Sequence, residues 1–258
     1  MPDKPEKPTP PSPDANWDEF TEGLPGFVDA VNDGMDCVVH LAHQLHADSG
    51  PQKVIAMLTG SLADNLYDIV FLCANDRRDG ALRLLRTPYE KFLYAHFISR
   101  HPETAEDFLC FDAVHSQQLI AGVEKHYDYK MSEQGRKGLD VLLESAKTKL
   151  KWNKCELCGH RLPRMWTKVT PEQMAKEADM ESIHVLAYRY ATMFIHPSWR
   201  GLEGQVQETI KLPSILVIVH RLIFETIKLQ CFQLGQTTTV TGRTAEVLHR
   251  LADAVKLS

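Results

Sequence analysis

One stretch decides the fold, His184-Val-Leu-Ala-Tyr-Arg-Tyr-Ala-Thr-Met-Phe-Ile-His-Pro-Ser-Trp199, which is nearly all apolar and carries one internal arginine, one threonine and a histidine near its end. At about 100° per residue, Val185, Arg189, Thr192 and His196 fall on one stripe of a helix, and apolar residues cover the rest. A helix that is apolar on most of its circumference is normally enclosed by other helices. The stretch therefore predicts the central helix of an all-α fold.

The same helical periodicity recurs along most of the chain, and no strand alternation, nucleotide-binding glycine loop or internal repeat interrupts it. We predict a single all-α bundle of roughly eight or nine helices over residues 17–258. Besides the central helix and a segment that begins with Thr170-Pro171, the predicted helices cover residues 27–46, 54–73, 78–99, 102–127, 132–150, 213–234 and 244–255. Residues 1–16, which are rich in proline and lysine, predict a disordered tail.

Composition excludes some classes of function. The chain has 258 residues, 43% of them hydrophobic, and a formal net charge of −5, so it has no global attraction for nucleic acid. The longest strongly apolar run, Leu212 to Val219, is far shorter than the roughly 20 residues of a membrane span. With no apolar signal core at the N-terminus and four isolated cysteines in apolar helical runs, we expect a cytoplasmic protein that contacts no membrane.

The segment from Arg86 to Glu90 has an internal proline. Pro88 lies inside a predicted helix, where it removes a backbone donor and clashes near the carbonyl of Leu84, so we expect a kink or a break there. Arg86 and Glu90 are spaced i,i+4, which favours a surface ion pair. The alternative is that Glu90 faces inward and meets a cation.

A cysteine and histidine loop interrupts the helices between residues 152 and 170. Cys155 and Cys158 have the spacing of a metal knuckle, and His160 is a candidate third ligand. Zinc needs four ligands, and no second Cys-x-x-Cys follows, so the rest would come from distant side chains or another chain. The loop predicts at most a structural zinc, and a redox-active dithiol or ordinary loop cysteines are the alternatives. No other cofactor is expected.

Arg189 and His196 form an Arg-x6-His pattern that can act on a phosphodiester without a metal. Histidine titrates near neutrality and can move the proton of a 2′-hydroxyl, while arginine stabilises charge on the phosphate. Two helical turns separate the pair by about 10 Å, so convergence needs the helix to end near His196, as Pro197 suggests, or a second copy in a dimer. The alternative is structural: a buried Arg189 paired with a carboxylate such as Glu90, and His196 at a helix end.

Three parts of the chain resemble a known family. They are Arg86-Thr-Pro-Tyr-Glu90 with the aromatic helix after it, the stretch from Trp166 to Met180, and Tyr188 through Thr192 to His196-Pro-Ser198. Together they resemble a bacterial helical family of unassigned function, domain of unknown function 5677, over about Val54 to Leu234. The resemblance implies a helical fold with an Arg-x-x-x-Glu element and a helix that ends in His-Pro-Ser.

The Arg-x6-His spacing is also similar to the motif of HEPN domains, helical bundles that include toxin and antiviral ribonucleases acting as dimers. That similarity carries over to Arg189 and His196 alone. It implies a metal-independent ribonuclease in stress or phage defence, with RNA as substrate and a homodimer as the assembly. Arg86, Glu90, Thr192 and Ser198 are candidate supporting residues. The alternative is a non-catalytic helical module that binds a protein or a small ligand.

Overall fold

The computed structural model describes residues 13–24, 26–45, 50–127, 129–154, 161–163, 165–192, 212–236 and 242–256. In chain order its elements are α1 (Pro13–Gly23), α2 (Phe27–Leu45), α3 (Pro51–Ala74), α4 (Arg78–Arg100), a 3₁₀ turn (Pro102–Thr104), α5 (Ala105–His126), α6 (Glu133–Lys149), β1 (Trp152–Lys154), β2 (Arg161–Pro163), α7 (Pro171–Glu177), α8 (Glu181–His184), a π-helical segment (Val185–Tyr190), α9 (Leu212–Gln233) and α10 (Arg243–Lys256). The predicted all-α fold is confirmed, with ten α-helices in the described residues.

The core forms around α3, which packs between α2 and α4, while α9 lies across all three and α10 covers α2. Leu62, Leu66 and Ile69 of α3 are fully buried, as the apolar pattern of this helix predicts. Gly34 of α2 allows the close approach of α9, because a Cβ there would stand 2.6 Å from Ile223 Cγ2. The centre of the bundle is therefore set by tight contacts among α2, α3 and α9.

By length and composition, α3 is the one described helix that could cross a membrane, but 56% of its most apolar window is buried inside the fold. A core helix of a globular protein passes the same test, so this is weak evidence for a span. Cys37, Cys73, Cys110 and Cys231 are buried and form no disulfide, as predicted. Burial raises the pKa of Cys73 to about 12, which keeps this thiol protonated.

Helix ends follow local sequence rules. Thr170 caps α7, accepting a hydrogen bond from the Gln173 backbone N–H at 3.3 Å, and the Gln173 side chain accepts one from the Thr170 backbone N–H at 2.8 Å. Pro171 occupies the first turn, as predicted. The helix ends where Asp179 takes a positive φ of 55°.

Helices α5 and α6 form an antiparallel pair, and α6 (Glu133–Lys149) lies where the sequence predicts a helix over residues 132–150. The pair encloses a small second cluster of Cys110, Val114, Ala146 and Leu150. Ser145 donates to Glu106 at 3.0 Å. Most of the remaining α6 surface faces solvent.

Three expectations are corrected. The tail boundary at residue 16 is wrong, because α1 begins at Pro13; Trp17 on this helix lies 6.5 Å from the Phe71 ring. We expected a kink or a break at Pro88, and the break does not occur, since α4 runs unbroken from Arg78 to Arg100 with Pro88 buried inside it. The sequence also did not predict the hairpin of β1 and β2, in which Asn153 pairs with Leu162. Residues 1–12 lie outside the described residues.

The central helix also departs from its prediction. α8 passes at Val185 into the π-helical segment, so the helix is not a continuous α-helix. It is not enclosed either, because Val185 is 58% exposed. A π-helical turn is wider than an α-helical one, so it changes which side chains share a face, and such turns are frequent at functional sites.

Candidate functional site

The candidate site begins with a partly buried ion pair on α4. Arg86 and Glu90 lie one helical turn apart, and Glu90 Oε1 accepts from Arg86 Nε at 3.1 Å and from Nη2 at 2.9 Å. Both side chains are 24% exposed. The sequence left two alternatives open, a surface ion pair and a Glu90 that faces inward to meet a cation. The structure has the ion pair with Arg86 of the same helix, but the pair is partly buried.

Arg86 also joins α4 to the π-helical segment and to Thr192, two residues after its end. Its Nη1 donates to Thr192 Oγ1 at 3.1 Å, and its Nη2 donates to the Tyr188 hydroxyl at 3.3 Å. The guanidinium carbon lies 4.5 Å from the centroid of the Tyr188 ring, within the range of a cation–π contact. We call Arg86, Glu90, Tyr188 and Thr192 the Arg86 cluster.

A row of stacked and hydrogen-bonded rings extends inward from the Arg86 cluster. Tyr188 stacks on His184, with ring centroids 5.0 Å apart and an interplanar angle of 14°. His184 Nδ1 lies 3.1 Å from the hydroxyl of Tyr89, and both of these side chains are buried. The row fixes the π-helical segment on α4 through polar contacts in the interior.

The electrostatics of the cluster keep its cation charged and its aromatic groups neutral. Burial lowers the pKa of Arg86, but the hydrogen bond and the charge of Glu90 outweigh it, so the net pKa is raised. Burial raises the pKa of Tyr188 and of Tyr94, which lies beside the cluster. Burial, and after it the charge of Arg189, lowers the pKa of His184. Arg86 is therefore a fixed cation among neutral rings.

The lowered pKa of His184 predicts that the fold loses stability in acid. The unfolded chain binds the proton more readily, so the free energy of unfolding should fall as pH drops below about 6.5. His96 and His220 contribute in the same direction, because burial lowers their pKa values too. We expect His184→Phe, compared with wild type by urea denaturation at about pH 7.5 and 5.5, to show a smaller loss. An equal loss in both proteins would contradict this expectation.

Arg189 lies apart from the Arg86 cluster. Its side chain is 57% exposed, and its Nη2 lies 2.7 Å from Oε1 of Glu172, which is 68% exposed. The predicted stripe that placed Arg189 and Thr192 on one face is wrong, because the π-helical turn directs Thr192 toward α4 and Arg189 toward solvent. The structural alternative, a buried Arg189 that pairs with a carboxylate such as Glu90, is wrong as well, since Arg189 is exposed and Arg86 holds the Glu90 carboxylate.

Several predicted site residues lie outside the described residues: His196, Ser198, Cys155, Cys158 and His160. Roles for His196 and Ser198 and a zinc at the cysteine loop remain predictions. In the described part of the chain, no group of three or more His, Cys, Asp or Glu side chains could hold a metal ion. The paired strands β1 and β2 bracket the cysteine loop on both sides.

Sequence reasoning missed Glu172, His184 and Tyr89 as partners of the predicted residues. Tyr89 and His184 are 95 positions apart in the chain, so no local spacing relates them. One local signal was available for Glu172, which lies in the first turn of a helix, where acidic residues are favoured by the dipole. It gave no indication of Arg189 as a partner.

Fold and cluster together define an all-α protein in which an arginine, paired with a glutamate of its own helix, binds a tyrosine of a π-helical segment and the threonine that follows the segment. A family model, described as Family of unknown function (DUF5677), matches residues 52–209. Because the match covers more than half of the chain, the chain belongs to this family. The matched range includes all four residues of the Arg86 cluster. Searches of curated proteins and of solved structures found no match.

Proposed function

We propose that this chain is a HEPN-like cytoplasmic ribonuclease that works without a metal, in bacterial stress or phage defence, with Arg189 and His196 as its catalytic residues. The observation that supports the proposal is the exposure of Arg189 on a π-helical segment. Glu172 holds it in a surface ion pair, and such pairs contribute only about 0–1 kcal/mol. An RNA phosphate can therefore replace that carboxylate at small cost.

The chemistry is a transesterification followed by release of the leaving strand. His196 takes the proton of the 2′-hydroxyl, and the resulting oxygen attacks the adjacent phosphorus while the bond to the 5′-oxygen breaks. Arg189 stabilises the charge that grows on the non-bridging oxygens. The protonated His196 then gives its proton to the 5′-oxygen. The products are a 2′,3′-cyclic phosphate and a 5′-hydroxyl, and a second copy of the chain in a homodimer can complete the site.

The Arg86 cluster has a positioning role in this proposal. Its contacts bind the π-helical segment to α4, which limits the orientations open to Arg189 on the opposite face. A rigid support of this kind is what a catalytic side chain needs, because small misplacements reduce the rate strongly. Thr192, Arg86 and Glu90 thus act through Arg189 and touch no substrate.

A second candidate function is a non-catalytic module that binds a protein or a small ligand. The observation that favours it is the internal pairing of Arg86, whose Nε, Nη1 and Nη2 all donate to side chains of the chain itself. An arginine bound in this way is unavailable to a substrate. The net charge of −5 also reduces attraction for RNA.

The wild-type protein distinguishes the two candidates. We expect it to cleave RNA in EDTA, to leave the 2′-deoxy analogue of the same strand intact, and to produce ends with a 2′,3′-cyclic phosphate. Cleavage that requires a divalent metal, or that also cuts the deoxy strand, would contradict the mechanism. A folded protein with no cleavage at all would favour the binding module.

A further inference from the structure

Helix α3 leaves one stripe of its surface open to solvent, although its other faces form the centre of the core. The positions of this stripe follow one another at alternating spacings of four and three residues, and they are Lys53, Met57, Gly60, Asp64, Tyr67 and Phe71. At about 100° per residue they fall within about 80° of one another, which is the pattern of a coiled-coil seam. Met57, Tyr67 and Phe71 are 55%, 51% and 42% exposed. We call these residues the α3 stripe, and large apolar side chains exposed along one seam indicate a contact surface.

Two open depressions flank the α3 stripe on the side of α2. The first has a volume of about 270 Å³ and lies beside Met57 and Gly60. The second has a volume of about 390 Å³ and lies beside Tyr67. Val39 of α2 and Asp64 border both, so the two depressions adjoin. Depressions beside a seam can take the side chains of a second helix, as in knobs-into-holes packing.

The order of residues in the α3 stripe is complementary to itself when it is reversed. A two-fold axis through the middle of the stripe sets two copies of α3 antiparallel, so that each residue before the middle faces one after it. Met57 then lies opposite Tyr67 of the second copy, which gives a favourable contact between sulfur and an aromatic ring. Gly60 lies opposite Asp64 of the second copy, and the lack of a side chain at Gly60 lets the helices approach closely. The axis repeats each of these contacts.

The charges of the helix fit the same arrangement. Lys53 lies opposite Phe71 of the second copy, and Asp68, three residues before Phe71 and exposed like Lys53, comes within reach of the same ammonium group. The ammonium can therefore pair with a carboxylate and lie over an aromatic ring. Near the axis, Asp64 has a cation of its own chain beside it, because burial lowers the pKa of Lys91 and the charge of Asp64 opposes that shift. The repulsion between the two Asp64 side chains is thereby reduced.

We propose that the α3 stripe is the contact surface of a homodimer in which two α3 helices pack antiparallel about a two-fold axis. A second copy is the occupant because the reversed stripe supplies a complementary residue for each position. The contact is one pair of helices flanked by α2, so its area is small, and we expect a dissociation constant on the order of micromolar. The surface suits the homodimer of the proposed function, but it stands independently of RNA cleavage, because none of its residues takes part in that chemistry.

Sedimentation equilibrium of the full chain, from about 1 to 100 μM, tests the proposal. Lys53→Glu sets two carboxylates against each other at each end of the contact, and Asp68→Lys sets two ammonium groups against each other. Either variant alone should weaken dimerisation by at least about tenfold. An equimolar mixture of the two should recover most of the wild-type affinity, because every end then pairs opposite charges. Lys137→Glu on α6 is the matched control, since it makes the same charge change on an exposed side chain away from the stripe.

The apolar part of the contact has its own variant. Tyr67→Ser removes a half-exposed ring from both halves of the contact and should weaken dimerisation by about tenfold or more. Leu119→Ser on α5, where Leu119 is 69% exposed, should dimerise as wild type does. Circular dichroism of each variant verifies that it is folded.

Three results would overturn the proposal: a wild type that stays monomeric over the whole range, Lys53→Glu and Asp68→Lys variants that each dimerise as wild type does, or a mixture of these two folded variants that stays monomeric. Since α3 also has the length and composition of a membrane span, wild type is mixed with phosphatidylcholine vesicles as well. A monomer that binds these vesicles would assign the α3 stripe to a lipid surface instead. The measurement on wild type needs no variant to fold.

Discussion

Replacing His196 by alanine is expected to lower the rate of RNA cleavage by about 10²- to 10⁴-fold, the usual contribution of a general acid–base group. Arg189→Ala is expected to lower it by about 10²- to 10³-fold, as for other groups that stabilise transition-state charge. Both rates are measured in EDTA on one labelled strand, under single-turnover conditions. Arg136→Ala is the matched control, because Arg136 is an exposed arginine that pairs with Glu124 on α5 and should leave the rate unchanged. Rates within about threefold of wild type for both site variants would rule out their catalytic roles.

The variant Glu172→Gln tests the proposed role of Arg189 in a second way. The Glu172 carboxylate is paired with Arg189, so under the proposed mechanism it competes with the substrate phosphate for this side chain. Glu172→Gln removes the charge and keeps the shape, so the KM for RNA should fall while kcat stays nearly constant. The gain is limited to about fivefold, since an exposed ion pair contributes at most about 1 kcal/mol. A fall in kcat instead would mean that Glu172 positions Arg189 for catalysis.

The parts of the fold that depend on contacts between residues close in the sequence could be predicted from the sequence. The buried helix α3 follows from its apolar pattern, and the start of α7 follows from Thr170, Pro171 and Gln173, whose side-chain and backbone groups satisfy each other within one turn. The expected break of α4 at Pro88 does not occur, for a different reason. Pro88 is buried, so the packing of α4 against its neighbours offsets the lost backbone hydrogen bond. Rules based on the local sequence do not include that packing.

The candidate site could be predicted only in part, because its contacts are long-range. Arg86, Glu90 and Thr192 were identified from the sequence as candidate supporting residues. Their contacts were not, because Arg86 is 106 positions from Thr192 in the chain and 102 positions from Tyr188. The π-helical segment was missed for a related reason. The Thr192 hydroxyl donates to the Tyr188 carbonyl at 2.6 Å, a type of bond that often bends helices, and Arg86 fixes that hydroxyl from another helix. An argument from a period of 3.6 residues assumes the regular helix that these contacts change.

The largest stability effect is expected for Glu90→Leu. This change leaves the guanidinium of Arg86 partly buried without its carboxylate, and a buried pair that loses one partner costs about 3–5 kcal/mol. Because both side chains keep 24% exposure, water can reach Arg86, and we expect a smaller loss of about 1–3 kcal/mol in the free energy of unfolding. Urea denaturation at pH 7 measures it. The matched control is Glu144→Leu on α6, where an exposed i,i+3 pair with Lys147 should contribute under about 0.5 kcal/mol.

The double variant Arg86→Leu/Glu90→Leu decides whether the unpaired charge is the cause. It removes both charges and keeps apolar volume at both positions, so it should recover part of the stability lost in Glu90→Leu. Tyr188 and Thr192 lose their bonds to Arg86 in the double variant, which sets a limit on the recovery. A double variant less stable than Glu90→Leu would show that the bonds from Arg86 to the π-helical segment contribute more than its pairing with Glu90. In that case the Arg86 cluster stabilises the fold mainly by joining α4 to the segment that carries Arg189.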